Sequence, residues 1–136
     1  MKRLLIAALL AASLVLSLAA PAAAKPAIEI ADSVTFTDVD PCTGLSHEVM
    51  IAMTFFVHDH DGITVARGVR TLSTSAGYVG GGTSSYVLNG MVEMFRFNDL
   101  LADGSGDRIR ASGVFVLDLS SGAVRVDAFA LTCLSS

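Results

Sequence analysis

Two long runs of strand-forming residues, Ser46 to Val57 and Ile63 to Ser75, flank one block of turn chemistry, His58-Asp59-His60-Asp61-Gly62. That pairing constrains the chain more than any other feature. In the first run Met50, Ala52, Thr54 and Phe56 share one face, while Val49, Ile51, Met53, Phe55 and Val57 share the other. Both faces are apolar, so periodicity alone does not separate a buried strand from a buried helix. The neighbours do. Ile63-Thr64-Val65 restarts a β-branched run directly after the turn residues, which is the signature of a hairpin. A three-residue loop, His60-Asp61-Gly62, with glycine in the left-handed conformation and a bulge beside it, is the expected connection.

The later chain repeats this logic. A short β-run at Val34-Thr35-Phe36-Thr37 precedes the loop Asp40-Pro41-Cys42-Thr43-Gly44, where proline removes a donor and glycine permits the turn. Gly77 to Gly82 reads as a mobile glycine-rich connector. It lacks the GxxxxGK[ST] arrangement that cradles phosphate. One strand is expected from Ser84 to Asn98, and two more from Asp107 to Leu119 and Ala123 to Leu134. The last two are joined by Leu119-Ser120-Ser121-Gly122, ending on a left-handed glycine. No stretch of helix length carries a 3.6-residue apolar stripe. The expected class is all-β: a small antiparallel meander barrel of about six strands, with an open β-sandwich as the alternative.

Met1 to Ala24 has the form of a secretory signal peptide. Lys2 and Arg3 supply the positive start, Leu4 to Ala20 the apolar region, and Ala22-Ala23-Ala24 the small-residue cleavage site. The expectation is a secreted single β-domain over residues 25–136. In that compartment a disulfide between Cys42 and Cys133 is the default, and it would place the start and end of the fold side by side. Removing Lys2 and Arg3 from the 9 basic residues leaves 7 against 13 acidic ones, a formal charge of −6. An acidic chain without a basic run has no electrostatic footprint for nucleic acid. No membrane span is expected after signal removal.

Choosing one parity through all strands sorts the charges. Met50, Ala52, Thr54, Phe56, Ala66, Gly68, Arg70, Leu72, Tyr86, Leu88, Gly90, Val92 and Met94 fall in one set, continuing through Ile109, Ala111, Gly113, Phe115, Leu117, Val124, Val126, Ala128 and Ala130. Arg67, Glu93, Arg108, Arg110, Arg125 and Asp127 fall in the other, so the first set is expected to face the core. Gly68, Gly90 and Gly113 would then bend three strands and curl the sheet. Val49, Ile51, Met53 and Phe55 would form an apolar outer strand, covered either by the N-terminal segment of the chain or by a partner such as a second copy in a homodimer.

Arg70 is the one charge in the expected core set. It reads either as an anchor for an anionic group or as the partner of Glu48 in an internal ion pair. With Tyr86, these two are the candidate ligand-binding residues. His58 and His60 share a face of the strand and are candidate metal ligands. They are only two, where zinc needs three or four; a charged hairpin tip explains them with less. Asp103-Gly104-Ser105-Gly106-Asp107 places oxygen ligands at alternate positions but lacks the EF-hand pattern, so a plain turn accounts for it. There is no GxSxG elbow, and both cysteines are committed to the disulfide. The sequence names no cofactor and no catalytic residue.

The mature chain resembles a group of uncharacterised secreted proteins common in actinobacteria. The likeness rests on the (N/D)PCxG start, here Asp40-Pro41-Cys42-Thr43-Gly44, and on Phe55-Phe56-Val57-His58 before Asp61-Gly62. The third element is the terminal strand Val126-Asp127-Ala128-Phe129-Ala130-Leu131-Thr132-Cys133. It covers about Asp40 to Cys133 and implies a secreted all-β domain with a disulfide. It carries over no activity. The expected function is non-catalytic binding of a small apolar or amphipathic ligand inside the barrel. The alternatives are an interaction protein of the cell exterior acting through its apolar outer strand, and a barrel-type cyclase or hydrolase.

Overall fold

The computed structural model describes residues 26–135, so the signal-peptide reading of Met1 to Ala24 lies outside the described residues. Seven strands follow one another: β1 (Ile28–Val39), β2 (Ser46–His60), β3 (Ile63–Thr74), β4 (Val79–Asn89), β5 (Val92–Ala102), β6 (Arg108–Asp118) and β7 (Ala123–Leu134). Each pairs antiparallel with the next, giving one sheet in sequence order. Among the described residues there is no helix, and none therefore that is long and apolar enough to cross a membrane. The all-β meander and the disulfide stand as expected.

The sheet curls without closing. No hydrogen-bonded ladder joins β1 to β7, yet Phe36 of β1 and Phe129 of β7 line the same interior cavity. The Cys42–Cys133 disulfide, with Cα atoms 5.0 Å apart, clasps the β1–β2 loop to β7. That loop is held by Asp40, which is 1% exposed and accepts the Cys42 amide at 2.8 Å and the Thr43 hydroxyl at 2.9 Å.

Two tight turns explain where the strand count and the facing differ from expectation. His60 pairs with Ile63, so the β2–β3 loop is two residues, Asp61-Gly62, not three with a bulge. Both have positive φ, 50° and 79°, as a type I′ turn requires. Gly90 is likewise in a turn rather than mid-strand. Asn89 pairs with Val92, and Gly90 at φ 58° opens the two-residue loop that divides the expected Ser84–Asn98 strand into β4 and β5. Across a two-residue hairpin, facing positions have opposite parity, so carrying one parity through both turns inverts β2 and β5.

The interior of β2 is accordingly Val49, Ile51, Met53, Phe55 and Val57, all buried, while Met50 is 50% exposed. On β5 it is Glu93, Phe95 and Leu101 that are buried, not Val92 and Met94. On β7 the residues opposite inward Ala111, Gly113 and Phe115 are Leu131, Phe129 and Asp127, not Ala128 and Ala130. The assignment stands for Ala66, Arg70, Leu72, Tyr86 and Ile109, each buried. Burying a side chain such as Phe55, at 2% exposure, contributes roughly 1.5–3 kcal/mol relative to leaving it in water.

The glycine-rich segment is not a mobile connector. Gly80, Gly81 and Gly82 lie within β4 and pair with β3 and β5. A Cβ on Gly80 would collide with the Leu100 carbonyl and one on Gly82 with the Asn98 carbonyl, so only glycine permits this approach. Gly68 and Gly113 make room for side chains instead. Their missing Cβ atoms admit the Phe55 ring, at 2.8 Å, and the Phe97 ring.

Candidate functional site

The curled sheet encloses a cavity of about 460 Å³. Its walls are mainly Phe36, Ile51, Phe95, Phe97, Leu101 and Ile109, from β1, β2, β5 and β6. Cross-strand register explains the convergence: Val34–Ile51–Leu72 and Leu101–Ile109–Cys133 form a transverse row around the interior.

Arg70 points into this space at 5% exposure, and its Nη2 meets Asp99 Oδ2 at 3.0 Å. The partner is therefore Asp99 of β5 rather than Glu48. Arg70 and Asp99 flank Gly82 on adjacent ladders, Arg70↔Gly82 and Gly82↔Asp99. The absent side chain at Gly82 lets them meet across β4. The guanidinium also lies 4.7 Å from the Phe97 ring centroid, where the π face attracts the cation. Desolvation lowers the Arg70 pKa, opposed by Asp99, and raises that of Asp99, opposed by Arg70. Among the described residues, Arg70 Nε and Asp99 Oδ1 are buried without hydrogen-bond partners, as is Nδ1 of His47 on the same cavity wall.

Further along the interior, Tyr86 and Glu93 are 2% and 3% exposed. Burial raises the pKa of both; the hydrogen bond between them raises Tyr86 further and opposes the rise at Glu93. Glu48 is exposed on the opposite face of the sheet. The structure thus brings Arg70 and Tyr86 to one interior and leaves Glu48 outside it. Asp99 and Glu93 are the carboxylates that sequence reasoning missed. The signal for Glu93 was the two-residue Gly90-Met91 turn; Asp99 lies one residue past the expected strand end at Asn98, where β5 continues to Ala102.

His58 and His60 are exposed at the hairpin tip, where His60 Nδ1 lies 3.4 Å from Asp61 Oδ2. Among the described residues no three His, Cys, Asp or Glu side chains are grouped to hold a metal. Asp103 spends its carboxylate on its own loop: Oδ1 accepts the amides of Ser105, Gly106 and Asp107 at 2.9–3.0 Å. The hydrogen bond from the Ser105 hydroxyl, and then these amide bonds, lower its pKa. No family model, curated protein or solved structure matches the chain.

Proposed function

We propose that this is an exported binding protein that holds a small amphipathic molecule inside its curled sheet. The observation that carries the reading is the cavity of about 460 Å³, walled by phenylalanine and aliphatic side chains around a buried, incompletely hydrogen-bonded Arg70–Asp99 pair. Small-molecule sites have this form, at roughly 300–1,000 Å³ with apolar walls and a few placed polar groups. The unpaired seam between β1 and β7 gives a ligand a route that needs no ladder broken. Export is supported by the signal-like segment Met1 to Ala24 and by the disulfide, which persists in oxidising compartments.

The test is native mass spectrometry of the mature protein purified from a secreting host without refolding. Extra mass that organic extraction removes supports the reading and identifies the ligand class. A bare chain that also fails to take up added alkyl alcohols refutes it.

One observation favours a second reading, an interaction protein of the cell exterior. The outer face of β2 and β3 exposes Met50 at 50%, Phe56 at 40%, Val65 at 38% and Val69 at 55%. These residues replace Val49, Ile51, Met53 and Phe55 as the apolar outer surface. A concentration-dependent dimer in light scattering, abolished by Val69→Asp, would support it, and a strict monomer would refute a homodimer.

A further inference from the structure

We infer that the cavity selects a hydrophobic amine, a cationic head on an apolar body, over a fatty acid or other anionic amphiphile. This deepens the interior-binding reading above and rests on it. Arg67, Arg96, Arg108 and Arg110 are all exposed, and register puts them on the outer face. Among the described residues the one arginine lining the cavity, Arg70, is neutralised by Asp99 at 3.0 Å, whichever of the pair holds the proton.

Two more carboxylates line the same cavity, one from each edge strand: Asp38 of β1 and Asp127 of β7. Neither has an ion-pair partner among the described residues; Asp38 Oδ1 accepts only the Val39 amide, at 2.8 Å. The lining therefore carries net negative charge at the open seam.

A second feature points independently to a ligand head group. Among the described residues Asp99, buried and on the cavity wall, has an oxygen with no hydrogen-bond partner, which a donor would satisfy, and Arg70 Nε beside it lacks an acceptor. The pair therefore calls for a polar head group, and the sign of its charge is set by Asp38 and Asp127. The phenylalanines add to the same preference. Phe36, Phe95, Phe97, Phe115 and Phe129 line the cavity, and aromatic faces attract cations and repel anions. An ammonium head would meet carboxylates and π faces. A carboxylate head would meet two like charges.

The experiment is isothermal titration calorimetry of the mature, disulfide-bonded protein with decylamine, decanol and decanoate at neutral pH and low salt. The expected order is amine, then alcohol, then carboxylate, with the amine at least about tenfold tighter than decanoate, the size of one charge-assisted hydrogen bond. In the Asp38→Asn/Asp127→Asn double variant the amine should fall to the level of decanol while decanol is unchanged. Decanoate binding as tightly as the amine, or an amine affinity unaltered in the variant, overturns the inference and leaves the cavity reading standing. Failure of all three ligands to bind overturns the cavity reading itself.

Discussion

Replacing Arg70 with methionine removes the cation of the buried pair while keeping much of the aliphatic volume. What remains is Asp99, 0% exposed at its side chain, with no counter-charge. Breaking one partner of such a pair costs about 3–5 kcal/mol, because the orphaned charge stays in a low-dielectric site. With a urea slope of roughly 1–3 kcal/mol/M for a domain of this size, the midpoint should fall by at least about 1 M.

The double variant Arg70→Met/Asp99→Leu removes both charges and should lie much closer to wild type, since apolar replacement of a whole buried pair is often neutral. The sign of the pH dependence follows from the direction of the Asp99 shift. Its folded pKa is already raised by burial, and losing Arg70 removes the influence that lowers it. A raised carboxyl is destabilising above its folded pKa, so the Arg70→Met deficit should shrink as pH falls through that value. Urea titration followed by far-ultraviolet circular dichroism at several pH values measures all of this. An Arg70→Met variant within about 1 kcal/mol of wild type, or a double variant as destabilised as the sum of the singles, would refute the reasoning.

The remaining predictions use the same measurements. Glu93 is buried with its pKa raised, so wild-type stability should fall as pH rises through that pKa, and Glu93→Gln should flatten the profile. A Glu93→Gln variant with an unchanged slope would contradict this. Gly82→Ala forces a Cβ against the Asn98 carbonyl and to 2.5 Å from Asp99 Oδ1. A loss of roughly 1–3 kcal/mol is expected in urea unfolding. Cys42→Ala/Cys133→Ala opens a clasp spanning a sequence separation of 91 and should cost up to about 4–5 kcal/mol on the chain-entropy account, read from the same unfolding curves. The Asp118 carboxyl, held by Ser120 and Arg125, should titrate near about 2 by carbon-detected nuclear magnetic resonance. Arg125→Ala should move it upward.

Much of this fold was legible because strand signals are local. The β-branched runs, the place of the Asp61-Gly62 turn (though not its two-residue length) and the left-handed Gly122 each announce themselves within a few residues. The Gly90-Met91 turn was harder: Asn89-Gly90 is a turn dipeptide, but the apolar Tyr86-Val87-Leu88 before it and Met91-Val92 after it let the glycine read as a strand interior. Missing it reversed β5, which hid Glu93 among the presumed surface charges, while ending the strand at Asn98 left Asp99 outside it although β5 runs on to Ala102. On β2 both faces are apolar, so no polar residue flagged the reversal that placed Phe55 outside. Gly80-Gly81-Gly82 failed for another reason. Glycine triplets favour flexible loops on composition, and only the tertiary approach of the Leu100 and Asn98 carbonyls shows why a strand needs them here. The Arg70 assignment stood because its neighbours on β3 alternate cleanly, while its partner depended on a register two strands away.

The central claim is that a ligand occupies the interior of the sheet. Methyl nuclear magnetic resonance during titration with decanol tests it most directly. Shifts are expected at Ile51, Leu72, Leu101 and Ile109, which line the cavity, with Met50 and Val69 on the outer face unmoved. Shifts confined to Met50 and Val69, or no saturable shifts at all, would contradict it.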